Sequence, residues 1–210
     1  MSDDRGLGNP PAELTDFPAE QISADRDLYR CVSKPRKPWW FGSDGSQRFD
    51  LKEPRGTTYV ALDIESAIRE KLRRRLLEGG ILDEVMVDAI ELHTLRLPRD
   101  GRYANTGSGR AQDFGANREL STIMDKELTC RWAEAFADAG FDGIFYASRF
   151  TSPMECNSLA VFGDAGERTW PSEPMAGRQA IRRSGLVRMV ARSPFARGAD
   201  IKEPPLPGKP

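Results

Sequence analysis

A change of hydrophobic period at a single point constrains this chain most. Residues 57–62, TTYVAL, are rich in Thr, Tyr and Val and read as a β-strand. The pattern then switches at once: Asp63 can cap a helix, and Ile64, Ala67, Ile68, Leu72 and Leu76 recur on one face until Gly79-Gly80 ends it. A strand that runs directly into an amphipathic helix needs a sheet on which to lay that helix.

The rest of the sequence supplies such a sheet. Residues 27–32, DLYRCV, alternate as a short strand, and 84–97 alternate over one long strand or two short ones. Residues 119–139 read as a helix in which Leu128, Trp132, Ala135 and Phe136 share a face and Gly140 supplies the stop. FDGIFYASRF (141–150) and SLAVF (158–162) follow as apolar strands, while 99–117 reads as a long Gly-rich loop. The expected class is α+β, a compact mixed sheet with flanking helices, since the order of elements is not a run of βαβ units. No internal repeat is present.

Composition bounds the function. Apolar residues make up 39% and the formal net charge is −1, which argues against a protein devoted to nucleic acid or to membrane surfaces. No run is long and apolar enough to span a bilayer, and the N-terminus lacks the pattern of a signal peptide. Three widely spaced cysteines, Cys31, Cys130 and Cys156, suit a reducing cytoplasm. Charge is uneven along the chain. Residues 1–25 are acidic and are expected to be a flexible segment, 26–168 to form the folded domain, and 169–210 to be an Arg- and Pro-rich extension. The ends are either solubilising tails or, for the arginines, a surface for an acidic partner or a nucleic acid.

Several chemistries lack their parts. His93 is the only histidine and sits in an alternating strand, which favours a structural role and leaves no His-based triad or HExxH site. No cysteine pair has zinc-ligand spacing, so no metal is expected. GSGRAQ (107–112) lacks the third glycine of a dinucleotide fingerprint, and no P-loop or nucleophile elbow occurs. Catalysis would fall to Arg, Glu, Tyr and Ser.

Arg30 lies in an otherwise apolar strand, where it either meets an anion or points to water from a sheet edge. Arg48 emerges from a polar loop that also holds Trp39, Trp40 and Phe41, aromatics that fold onto the core or line a pocket. Two guanidinium forks near one pocket would suit a pyrophosphate. Tyr59 on its strand reads as cross-strand packing, and Glu70, nearly opposite the apolar face of its helix, reads by periodicity as a solvated glutamate. Ser148 and Asn157 bracket a turn between apolar strands.

Taken in order, these residues resemble the RES domain family. The likeness lies in Tyr-Arg in a first strand, Arg-Phe before a Gly-Thr-x-Tyr strand, Glu eleven residues after that Tyr, and GFDGIFYASRF with a following Asn. It covers roughly residues 27–163. The resemblance implies a fold related to ADP-ribosyltransferase toxins, with NAD bound in a cleft as substrate and no prosthetic group. It implies Glu70, Arg30 and Ser148 as catalytic residues and Arg30, Arg48, Tyr59, Ser148 and Asn157 as NAD-binding residues. It further implies a growth-arresting toxin that depletes NAD, held inactive by a helical, DNA-binding Xre-type antitoxin. On this reading Glu70 faces ligand and stabilises the oxocarbenium-like charge that develops as neutral nicotinamide leaves. Tyr59 would stack on nicotinamide, and the arginines would hold the pyrophosphate. The acceptor stays open among water, phosphate as co-substrate, and a protein side chain, the last making the chain an ADP-ribosyltransferase. A catalytically inactive binding module is a third reading.

Overall fold

The computed structural model describes residues 6–73, 82–151, 155–186 and 190–191. In chain order the elements are β1 (Ala19–Ile22), β2 (Leu28–Ser33), β3 (Trp40–Phe41), β4 (Arg55–Ala61) and α1 (Ile64–Leu72). After these come β5 (Leu82–Asp83), α2 (Glu84–Asp88), β6 (Ile90–Leu95), β7 (Gly101–Asn105) and a 3-10 helix (Gly109–Phe114). The remainder is α3 (Glu119–Thr122), α4 (Lys126–Asp138), β8 (Gly143–Tyr146), β9 (Ser158–Asp164), β10 (Gly166–Glu167), β11 (Ser172–Ala176), α5 (Gly177–Arg183) and β12 (Val190–Ala191).

Eight strands form one mixed sheet in the order β1-β7-β8-β9-β4-β2-β6-β11, parallel only between β7 and β8. Two small pairs, β3 with β10 and β5 with β12, lie outside it. The class is therefore α+β, as the sequence indicates. Alternation along the strands sends side chains to opposite faces. On one face Leu28, Val60, Leu95, Leu159 and Val161 meet Trp39 and Phe41. On the other face the helices make two separate packs. Helix α4 places Trp132, Ala133 and Phe136 over Ile144 and Ala160, and α1, α2 and α5 bring Ala67, Ile68, Leu72, Val87 and Ile181 over Leu92.

Between the two packs the sheet itself is weakly joined. β4 pairs with β9 at every position from Arg55 to Ala61, but with β2 only at Tyr29 opposite Ala61. Beyond that point β2 and β4 diverge, and a gap opens over the centre of the sheet.

Four stretches depart from the sequence reading. Residues 99–117 are not simply a loop: Tyr103 and Ala104 are buried in β7, where turn-forming Gly and Asn residues mask a short alternation. Residues 84–88 are helical, and the strand starts at Ile90, because only Val87 of that segment needs burial. The helix over 119–139 is two helices, broken where Ile123 turns extended and Asp125 caps the second by accepting from Leu128 N at 2.9 Å. The acidic N-terminal segment is not flexible from residue 6 on. Leu7, Leu14, Phe17 and Ile22 are buried, and β1 adds the edge strand beside β7. Its acids face outward while its few apolar residues reach the core.

The C-terminal extension also enters the fold. β11 pairs along β6 from Leu95 to Glu91, and Ala180 and Ile181 of α5 are buried. Arg178 pairs with Asp88 through two hydrogen bonds of 2.5 and 2.7 Å. Arg188, Arg192, Arg197 and the terminal PPLPGKP lie outside the described residues. No helix among the described residues is long and apolar enough to cross a membrane.

Phe17 shows how firmly the N-terminal segment is held. Its ring packs edge-on against Phe136 at 4.7 Å and Phe141 at 6.3 Å. Phe17→Ala is expected to cost about 3–5 kcal/mol, read as a lowered urea midpoint at unchanged slope. A midpoint equal to that of the unaltered protein would show the segment to be dispensable.

Candidate active site

The gap between the helix packs is a cleft of about 1200 Å³, above the roughly 300–1,000 Å³ usual for small-ligand sites. Arg30, Arg48, Tyr59 and Glu70 all line it. Each is brought there by a different element.

Arg30 points from β2 into the split beside β4. One of its terminal nitrogens donates to Pro38 O at 2.5 Å, Trp40 O at 3.2 Å and the Thr58 hydroxyl. Its other nitrogens have no partner among the described residues, so one edge of the fork is held and the other is left for a ligand. Burial pushes its pKa down to about 10, which leaves it protonated at neutral pH. Arg48 is held likewise by Ile123 O. Burial and the neighbouring Arg149 lower its pKa, and Glu70 counters them.

Tyr59 exposes part of its ring to the cleft and hides its hydroxyl. That hydroxyl donates to Asp50 Oδ1 at 2.8 Å and accepts from Phe49 N at 2.9 Å. Asp50 is almost wholly buried and also accepts from Gln47 N at 2.9 Å. Burial raises the pKa of the Asp50 carboxyl and, more strongly, that of the Tyr59 phenol. The pair therefore locks the loop that carries Arg48 onto β4.

Glu70 is the residue on which helical periodicity misleads. The polar face of α1 borders the cleft rather than open solvent, and Glu70 Oε1 accepts from Ser148 Oγ at 2.6 Å. Its second oxygen has no partner among the described residues. Ser148 is buried after β8; its hydroxyl also accepts from Phe150 N at 3.2 Å. Ser148 thus stands behind Glu70 and orients it, rather than lining the cleft wall itself.

Asn157 sits one layer further back. Its side-chain oxygen accepts from Ser148 N at 3.0 Å, and its amide donates to Ser66 Oγ at 3.0 Å and Thr151 Oγ1 at 2.9 Å. Asp63 caps α1 by accepting from Ser66 N at 2.8 Å and Ser66 Oγ at 2.7 Å. The helix start and the Ser148 turn are therefore one hydrogen-bonded unit.

The aromatic triplet divides. Trp39 and Phe41 are core residues, and Trp40 lies 53% exposed on the cleft rim. His93 is buried in β6 with Nε2 3.1 Å from Glu91 Oε2, and burial lowers its pKa. Sequence reasoning missed Asp50, Tyr146, Lys71 and Arg149, all of which line the cleft. Asp50 follows the Arg-Phe pair directly, and a carboxylate beside two bulky apolar positions was the available signal.

The cleft is electropositive. Arg30, Arg36, Lys37, Arg48, Lys71, Arg73, Lys126 and Arg149 line it against Asp44, Asp50, Glu70 and Glu167. The arrangement can bind an anion along one wall and hold a carboxylate beside a developing positive charge.

The same fold occurs in a chain of the crystal structure of the M. tuberculosis MbcT–MbcA toxin–antitoxin complex. The match has a TM-score of 0.57 and 15% identity, and it covers 79% of this chain and 92% of that one. A comparison with curated protein sequences finds no match. The RES domain family model matches residues 27–176, and the chain belongs to the RES domain family. The matched region reaches through β11, so the family unit includes the last strand of the main sheet.

Removing the Tyr59 hydroxyl would leave Phe49 N without its acceptor and Asp50 without a donor in a buried place. Tyr59→Phe is expected to destabilise the protein by about 1–3 kcal/mol, measured by chemical denaturation. A loss below a few tenths of a kcal/mol would mean that water replaces the hydroxyl and the loop is held otherwise.

Proposed function

We propose that the chain cleaves the bond between nicotinamide and ribose in NAD, passing the ADP-ribosyl group to water or phosphate. The observation that carries this reading is Glu70, fixed by Ser148 and turned into an electropositive cleft. Nicotinamide leaves as a neutral base and needs little acid catalysis. What the site must stabilise is positive charge on the ribose, and a carboxylate held in one orientation does this without reorganising during the reaction.

The remaining residues take roles that follow from their geometry. Arg30 and Arg48 grip the pyrophosphate with the donors that the protein leaves unpaired. Tyr59 offers the exposed part of its ring to nicotinamide, while its locked hydroxyl keeps the ring from turning. The free oxygen of Glu70 holds a ribose hydroxyl. Ser148 holds Glu70 and Asn157 holds Ser148, so these two act through position. No step calls for a metal or a prosthetic group. A cleft between two helix packs over a split sheet also suits kinship with ADP-ribosyltransferase toxins.

Growth arrest by NAD depletion follows from such an activity, and so does the need for a neutralising partner. The structural match to a chain of a toxin–antitoxin complex supports a protein antitoxin, for which we propose the helical Xre type. Free thiols at Cys31, Cys130 and Cys156 fit a reducing cytoplasm.

The test is incubation of the purified protein with NAD, with and without phosphate, following nicotinamide and the ADP-ribose product by chromatography. Nicotinamide should appear in at least one buffer, and dependence on phosphate would identify the acceptor. Release only after a protein acceptor is added would replace this reading with protein ADP-ribosylation. Glu70→Gln should lower kcat at least a hundredfold, about 2.7 kcal/mol, with an unchanged melting temperature. Full activity in that variant would remove Glu70 from the mechanism.

A further inference from the structure

The pleat of β3 divides the run Trp39-Trp40-Phe41. Trp39 and Phe41 are buried, and their rings pack edge-on against Trp170 at 4.9 and 5.4 Å. Successive side chains of a strand point to opposite faces, so Trp40 is turned away from that core and lines the cleft, where it stays exposed. The strand is fixed in place: Gly42 N donates to Thr57 O at 2.9 Å, Thr57 N donates to Gly42 O at 2.8 Å, and Arg168 N donates to Trp39 O at 2.8 Å. Trp40 is therefore a rigidly mounted apolar plate facing the ligand space.

A carboxylate stands beside the plate. Glu167 of β10 pairs directly with Trp40, and residues opposite each other in an antiparallel pair carry their side chains on one face. Glu167 is exposed and also lines the cleft. Register and hydrogen bonds separate this pair from the Glu70 end of the site. β9 pairs along one edge of β4 from Arg55 to Ala61, so β3, joined to β4 at Thr57, lies on the other edge with β10 beyond it. Ser148, which holds Glu70, follows β8 on the β9 side, and Tyr146 at the end of β8 pairs with Ser158, opposite Ala61. Arg30 stands between, donating to the Thr58 hydroxyl of β4 and to Trp40 O at 3.2 Å.

A dinucleotide with its nicotinamide ribose at Glu70 and its pyrophosphate on Arg30 has its adenosine beyond the arginine. That is where Trp40 and Glu167 lie. We propose that these two residues form the adenosine subsite: Trp40 stacks on the purine ring, and Glu167 accepts hydrogen bonds from the ribose hydroxyls. Stacking on an indole face suits any base plane, and a carboxylate with two acceptor oxygens suits a vicinal diol. The subsite makes the protein selective for a dinucleotide over a mononucleotide that carries the same scissile bond. This rests on the reading of the cleft as a nicotinamide-dinucleotide site.

The experiment is calorimetric titration of the full-length Glu70→Gln protein, in which the ligands are not consumed, with NAD and with nicotinamide mononucleotide, which lacks the adenosine. Adding Trp40→Ala should weaken NAD about tenfold and leave the mononucleotide unchanged, while Trp40→Phe, which keeps a ring, should recover most of the loss. Glu167→Gln should weaken NAD about threefold, again without effect on the mononucleotide. Both side chains are exposed, so the melting temperature should hold. Unchanged NAD affinity in Trp40→Ala, or an equal loss for both ligands, would overturn the subsite; unchanged NAD affinity in Glu167→Gln would strike Glu167 from it. Nicotinamide release by the wild-type protein, with a KM for NAD that Trp40→Ala does not raise, would keep the glycosidic reading and overturn the subsite. Trp40-dependent NAD binding by a wild-type protein that releases no nicotinamide would do the reverse. Failure of both ligands to bind would overturn both.

Discussion

The side-chain amide of Asn157 joins parts of the molecule that are far apart in sequence. It accepts from the backbone of Ser148 and donates to Ser66 in the first turn of α1, while the Asn157 backbone carbonyl accepts from Leu62 N at 2.9 Å. Through it the helix that carries Glu70 and the turn that carries Ser148 share one frame. The 2.6 Å bond between those two side chains is a consequence of that frame. A buried polar network of this kind is costly if any member is missing, which is also why it fixes a single geometry.

The second constraint is the thin join between β2 and β4. A fully paired central sheet would have closed the space that the two helix packs leave between them. A single paired position lets Arg30 reach Thr58 and the Trp40 carbonyl while keeping the other edge of its fork toward the cleft. Each arginine is thereby anchored on one side and unpaired on the other. That arrangement reduces the entropy to be lost when an anion binds. Its electrostatic counterpart is the unpaired cationic wall, which is tolerable because Arg36, Lys37, Arg73, Lys126 and Arg149 are exposed rather than buried.

The sequence makes the class of fold legible because the central strands and the two main helices carry strong, distinct periods. The step from TTYVAL to the Asp63 cap is where the structure places it, with Ala67, Ile68 and Leu72 buried. Short elements are less legible. β7 hides among glycines, and β1 and β11 lie in segments whose acids, arginines and prolines dominate any local average, although each needs only a few contacts to join an existing sheet edge. The candidate residues were found through their order along the chain, and periodicity alone would have discarded Glu70. Helical periodicity separates a core-facing side from the rest of the surface, but it cannot distinguish solvent from a cleft completed by residues distant in sequence, such as Ser148, 78 positions from Glu70. Asp50 went unnoticed for the same reason, since its role arises from Tyr59 on β4.

The placement of β9 has a consequence for when this protein comes to exist in the cell. β9 lies between β8 and β4 in the middle of the sheet and holds β4 along its whole length. It is also synthesised roughly a hundred residues after β4. Until it emerges from the ribosome, β4 has no central partner, α1 has no Asn157 to dock against, and Glu70 has no Ser148. Folding of such non-local pairings is slow compared with local ones. Over that interval a nascent chain carries Arg30, Arg48 and Glu70 without carrying the cleft, and the site comes into being only with β9.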